Sequence, residues 1–414
     1  MRMLRIALAL PCVAVALAAQ SPAQQAPATG VNPAYLDRAQ APCKDLYGFS
    51  NGTFDATPIP AAYASYGVNE EINERNEAIL KQILEDALSA KDAPAGSVSA
   101  RLRDFYASGM DTAEIEASGL KPIEPILHEI QALKSRKDLA PLLARLQAQG
   151  INAGPAFGVG QDDKNSKAIV AKLYQGGLGL PEREFYFRKD GKTREQRQAY
   201  VQHVARMFEL AGDPADKAQK AAQRLLVFET KLAKVSRKLV DLRDPQANYH
   251  KMERRTLDKM APGFGWPLYF RTLGLPDGEK RLVVGQPEFL QGFARLTGTA
   301  PLEDVKTYLR WHLLNATAEY LGKDLESADF DFYGKTLRGR KEMFPRWKRV
   351  LFAVDRGIGE DLGQAFVKRA FSPEAKAKVL EMVRFHREAL KLSLQRAPWM
   401  SDATKTQALH KLET

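Results

Sequence analysis

The sequence predicts a mainly α-helical protein with one small β-hairpin element. Three observations carry this prediction. Apolar residues recur at three- and four-residue spacing in stretch after stretch, a single pair of β-rich runs flanks a polar turn, and one helix near the end carries both its cap and its opening proline. With 44% apolar residues in 414, the chain has the means to build substantial cores.

Taken in order, residues 1–18 read as a signal peptide. Arg2 and Arg5 precede an apolar run from Ile6 to Ala18 that is too short to span a bilayer as a helix. Ala16-Leu17-Ala18 supplies small residues for cleavage after Ala18, and Leu10-Pro11 gives Cys12 a poor context for lipidation. Residues 19–41 follow as a flexible leader, rich in Ala, Gln, Pro and Gly as far as Asn32. No later apolar run is long enough for a stable membrane span, so a periplasmic or secreted protein is expected.

In the body, Leu80, Ile83, Leu84, Ala87 and Leu88 share one helical face, with Lys81, Glu85 and Asp86 elsewhere. The same pattern returns around residues 102–106, 139–146, 201–210, 221–233 and 308–321. Residues 155–160 and 167–174 flank Gln161-Asp162-Asp163-Lys164-Asn165 and predict the hairpin. Gly176, Gly177 and Gly179 open the loop that follows to conformations closed to other residues. Ser372 caps a helix that starts at Pro373, with Val379, Met382, Val383, His386, Ala389 and Leu390 as its apolar stripe. On that stripe His386 reads as a hydrogen-bonded core histidine. A further helix from Ser401 or Asp402 carries Ala408, Leu409 and Leu412 and meets no stop signal before Thr414, so further sequence is expected.

Charge and motifs exclude several kinds of chemistry. The formal charge of +11 is a mild excess over a long chain and implies no polyanion partner. Seven basic residues between Lys335 and Arg349 lie among Phe344 and Trp347, and a solvated loop and helix start fits them better than a nucleic-acid surface. Gly48-Phe49-Ser50-Asn51-Gly52 spells G-x-S-x-G but lacks the strand before and helix after that a nucleophile elbow needs. No H-E-x-x-H is present: His128-Glu129 begins one, but position 132 is Ala. No catalytic residue and no metal ligand is therefore assigned. Once Cys12 is removed with the signal, Cys43 is the mature chain's sole cysteine, either missing a partner or a lone buried thiol.

Several segments together resemble the neprilysin-like family of zinc metallopeptidases. They are Pro42-Cys43-Lys44-Asp45-Leu46-Tyr47 with Asn51-Gly52, Ser65-Tyr66-Gly67, Arg75-Asn76, and Phe105-Tyr106 through Asp111. The turn from Asp162 to Ser166 and the loop from Gly177 to Tyr186 are the most specific. Arg243-Asp244-Pro245 with Tyr249, Lys251 and Met252 comes next, then Trp399-Met400 with Thr404-Lys405. The resemblance implies that residues 42–414 are the helical N-terminal peptidase region of a bacterial secreted member, truncated before the zinc-binding motif, with the thermolysin-like catalytic half absent. It also implies a zinc cofactor and peptide substrates for a full-length form, no cofactor and no activity for this chain alone, and a disulfide partner for Cys43 in missing sequence.

Where some family members place a carboxylate-holding arginine before Tyr-Gly, this chain has Ser65, and position 69, often aromatic, is Asn69. Glu70 falls at an acidic position of that substrate-binding group and is the single candidate site residue. The leading expectation is the N-terminal part of a zinc metalloendopeptidase. The rival is an exported helical module that binds peptides without cleaving them.

Overall fold

A computed structural model describes residues 32–413, so the predicted signal peptide and the leader up to residue 31 lie outside the described residues. The described residues fall into two compact units, 32–60 and 61–413.

In the first unit, a 3-10 turn at Pro33–Tyr35 is capped by Asn32 and leads to helix α1, Leu46–Asp55, where the Asp45 carboxylate accepts from the Gly48 N–H. The Asp37 N–H donates to the Phe49 carbonyl at 2.8 Å, and the Tyr35 and Phe54 rings meet edge to face at 4.9 Å. The last ten residues of the predicted leader, 32–41, thus carry local structure. Cys43 is exposed and free among the described residues, which overturns the buried-thiol alternative.

The second unit begins with α2 (Val68–Ser89), α3 (Val98–Met110), α4 (Thr112–Ser118), α5 (Glu124–Gln131) and α6 (Leu139–Ala148). Strands β1 (Ala156–Asp162) and β2 (Asn165–Tyr174) form the predicted hairpin. After α7 (Glu184–Phe187), α8 (Gly191–Leu210) and α9 (Ala215–Val235) come β3 (His250–Glu253), α10 (Arg254–Met260), α11 (Trp266–Thr272) and β4 (Arg281–Val284). The chain closes with α12 (Pro287–Thr299), α13 (Leu302–Thr317), α14 (Lys323–Asp329), a π-helix (Phe330–Leu337), α15 (Arg346–Ala370), α16 (Pro373–Arg396) and α17 (Asp402–Glu413).

The hairpin is half of a four-stranded sheet, β1-β2-β4-β3, in which β4 pairs parallel with β2 and antiparallel with β3. Leu282, Val283 and Val284 are buried, as expected of a central strand covered on both faces. One core packs the sheet against α5, α6, α8, α9 and α11–α13, around Trp266, Tyr269, Phe289, Phe293 and Trp311. A smaller core joins α2, α3 and α15 through Ile83, Leu84, Leu102, Tyr106, Val350 and Val354. Helix α15 breaks its helical geometry at Ile358, between Gly357 and Gly359, a glycine-associated kink.

Helix α16 starts as predicted, with the Ser372 hydroxyl accepting from the Ala375 N–H and Pro373 at its first turn, yet none of its residues is buried. His386 is exposed, and its Nδ1 lies 2.8 Å from the Met382 carbonyl. The core role expected of it fails because the apolar stripe it belongs to has no cover here.

Candidate functional site

The motif-like residues do not converge. Ser50 lies inside α1, and a serine within a helix cannot occupy the strained strand-to-helix turn of a nucleophile elbow. Among the described residues no group of three or more His, Cys, Asp or Glu side chains is placed to hold a metal ion. His203 and His312 are buried, and burial pulls each imidazole down to about 4. His250 places Nδ1 at 3.0 Å from the Val284 carbonyl. The described residues offer no fit for zinc.

Glu70 sits in the first turn of α2, where its Oε2 accepts from the Gly67 N–H at 2.8 Å, the reciprocal half of a capping box whose other half Gly67 has no side chain to supply. Its carboxylate also favours the helix N-terminus electrostatically. Next to it, the Tyr63 and Tyr66 hydroxyls both donate to Glu74, at 3.0 and 2.8 Å, and burial beside that carboxylate raises both phenols. Ser65 and Asn69 are exposed on the same edge.

Beneath the glycine-rich loop lies a polar cluster absent from the sequence expectations. Glu229, on α9, is fully buried and accepts from the Tyr186 hydroxyl at 2.8 Å, the Tyr200 hydroxyl at 2.9 Å and the Gly179 N–H at 3.2 Å. Desolvation pushes its carboxyl up to about 8, although each of these donors favours the anion. The Tyr308 hydroxyl donates to the Gly177 carbonyl at 2.7 Å and receives the Gly154 N–H at 2.8 Å, while Tyr333 donates to the Gly179 carbonyl at 2.9 Å. The loop backbone therefore rests directly on phenols. Gly177 has φ +72°, and a Cβ there would stand 2.1 Å from the Tyr308 oxygen. One sequence signal could have exposed the cluster: Glu229 falls between Leu225 and Leu232 on an otherwise apolar face.

The basic run from Lys335 to Arg349 is solvated only in part: Lys335, Arg338 and Lys341 are exposed, whereas the residues from Arg346 onward are drawn into ion pairs. Lys348 is buried and forms an ion pair with Glu77 at 2.5 Å, although Glu77 Oε2 receives no aligned hydrogen bond. Its Nζ also donates to the Tyr63 hydroxyl at 2.7 Å and stands 4.4 Å from the Phe344 ring centre. Arg346 and Arg349 both engage Glu326, Arg349 through both carboxylate oxygens at 2.8 and 2.9 Å. The expectation of a solvated loop and helix start misses the Arg346, Lys348 and Arg349 pairs because charge density alone does not reveal carboxylates brought in from α2 and α14. Arg340 donates Nε to the Ala62 carbonyl at 2.7 Å, linking this run to the entry of α2 and hence to the neighbourhood of Glu70.

Residues 42–414 match the family model described as Peptidase family M13. Human endothelin-converting enzyme 1 is 26% identical over 389 residues, covering 91% of this chain and 50% of that protein. Neprilysin-3 of Drosophila melanogaster is 27% identical over 397 residues, again covering 91% and 50%. Among solved structures, the zinc metalloprotease ZMP1 of Mycobacterium tuberculosis in complex with inhibitor superposes with a TM-score of 0.86 at 33% identity, over 93% of this chain and 58% of that one. The chain spans about half the length of the curated relatives it matches.

Proposed function

The chain belongs to peptidase family M13, and on that premise we propose that it is the N-terminal part of an exported zinc metalloendopeptidase that in full length hydrolyses peptides. The helical region serves as scaffold and wall of the substrate chamber. Zinc and the general base belong to sequence beyond this chain, which contains no H-E-x-x-H and is inactive by itself. Export follows from the predicted signal peptide, with cleavage after Ala18. Cys43, exposed and free among the described residues, pairs with a cysteine in that further sequence.

The observation that carries this reading is the bare apolar stripe of α16. Its members Val379, Met382, Val383 and Leu390 are all exposed, as are Leu380, Phe385 and Leu392 on its flanks, and Trp399 beyond the helix is 77% exposed. An apolar patch this continuous marks a face made to meet another protein surface. The match over 42–414, together with the half-length span of the relatives, supports the remainder of a peptidase as what covers it.

The test compares this chain with a form extended through its downstream reading frame, scoring bound zinc and cleavage of a fluorogenic peptide library. Stoichiometric zinc and cleavage are expected in the extended form alone. A frame without H-E-x-x-H, with peptide binding but no cleavage, would replace this reading with the non-catalytic binding module.

A further inference from the structure

Beside the π-helix, a cavity of about 230 Å³ holds positive charge that the fold leaves uncompensated. Four arginines line it: Arg338, Arg340, Arg349 and Arg356. Two are matched, Arg349 by Glu326 and Arg356 by Glu319 at 2.9 Å. Arg338 and Arg340 have no ion-pair partner among the described residues, and one lining carboxyl, Asp329, remains to face them. Burial beside Glu319 and Glu326 pushes Asp329 up to about 7, with Arg338 pulling the other way, so at neutral pH it offsets less than one full charge.

Arg340 is held ready. Its backbone N–H donates to the Gly334 carbonyl at 3.0 Å, and its Nε to the Ala62 carbonyl. The guanidinium carbon stands 4.2 Å from the Phe344 ring centre and 5.3 Å from that of Phe330. The two terminal nitrogens of that fixed fork carry no hydrogen bond among the described residues, and a planar fork of this kind suits a carboxylate. Phe330, Phe344 and Phe352 form an apolar wall next to it. Sites for drug-sized ligands run to roughly 300–1,000 Å³, so this cavity suits one side chain and an adjoining charge.

We propose that this cavity is a binding subsite for a peptide carboxylate next to an apolar side chain, with Arg338 and Arg340 meeting the charge and the phenylalanines the apolar group. The proposal rests on the reading of the chain as part of a peptidase, since that reading supplies the peptide.

Calorimetric titration of the 414-residue chain needs no catalysis, so its result is separable from the zinc and cleavage test. Three peptides serve as probes: acetyl-Gly-Phe-Asp-Gly-amide, acetyl-Gly-Phe-Asn-Gly with a free C-terminus, and acetyl-Gly-Phe-Asn-Gly-amide. One or both charged peptides should bind at least tenfold more tightly than the neutral one, and which of them does so tells a side-chain carboxylate from a terminal one. Arg338→Gln and Arg340→Gln should each remove most of that difference. Arg338 is exposed and its side chain makes no hydrogen bond or ion pair among the described residues, so its variant stays informative even if Arg340→Gln folds poorly. Equal binding of all three peptides, no binding of any, or Arg338→Gln binding within twofold of the parent would overturn the proposal.

Discussion

His312 Nε2 lies 3.7 Å from Glu229 Oε1, with both side chains buried and neither group holding its usual charge. Glu229 keeps its proton to about pH 8 when folded but would release it near pH ~4.3 when unfolded, so the folded state binds more protons between those values. Its contribution to stability therefore falls as pH rises through that window. His203 and His312, lowered to about 4, act in the opposite sense between pH 4 and roughly 6.5. Asp329, raised to about 7, sides with Glu229. Near-cancellation is expected below about pH 6.5, followed by a loss of about 2 kcal/mol between pH 6.5 and 8. Urea midpoints across pH would show it, and Glu229→Gln should flatten most of the decline.

Gly179 cannot gain a side chain without displacing that cluster. A Cβ there would stand 1.8 Å from the Tyr200 oxygen and 2.9 Å from Trp311 Nε1. Gly179→Ala should cost about 3 kcal/mol of stability, the upper range for overpacking, because the displaced hydroxyl also serves Glu229. An unchanged urea midpoint would show that the loop can lift off the phenols at little cost.

Lys348 and Glu77 form a buried ion pair beside the smaller core of helices α2, α3 and α15. Lys348→Met alone leaves a carboxylate without its cation and should cost about 3–5 kcal/mol. The double variant Lys348→Met with Glu77→Leu should recover much of that loss, since an apolar replacement of the whole pair is often close to neutral. A thermal denaturation double-mutant cycle measures the coupling directly.

The α16 stripe should make the isolated chain associate. Val379→Glu and Val383→Glu should lower the association constant seen by analytical ultracentrifugation while changing stability by no more than about 0.5 kcal/mol, since both side chains are already exposed. Loss of secondary structure in either variant would mean that the stripe contributes to folding within this chain after all.

Cys43 should react fully with a thiol reagent under native conditions, and in oxidising buffer should yield disulfide-linked dimers that Cys43→Ser abolishes. Reaction only after denaturant would show a protected thiol.

Helices whose stripes meet a core, such as 139–146 and 221–233, were legible from spacing because 3.6-residue periodicity and burial report the same thing. The stripe around His386 has the periodicity without the burial, since spacing states which face is apolar and not what covers it. Strand β4 went unread: Arg281-Leu282-Val283-Val284 is too short to tell from a buried helical turn without its neighbours. The partners of Glu229 were illegible because they come from elements far apart in sequence, as in the Glu77–Lys348 pair, while the arginine cavity, lined within residues 319–356, was hidden because spacing does not say which of its charges are paired. Only the Glu70 neighbourhood was approached from sequence, by resemblance, and its capping bond to Gly67 became visible in three dimensions.

The π-helix Phe330–Leu337 winds widely enough for the Thr336 hydroxyl to reach the Asp331 carbonyl, five residues back, at 2.9 Å. Tyr333 in this segment holds Gly179, and Phe330 supports Arg340. An α-helix covering the same path would use fewer residues, and each residue turns the chain by about 100°. Deleting one residue here would thus keep Tyr333 or Arg338 in place but not both. In an alignment of homologues, a single-residue gap between positions 330 and 337 would then sort the family into chains that can keep both the loop anchor and the cationic cavity and chains that have surrendered one of them.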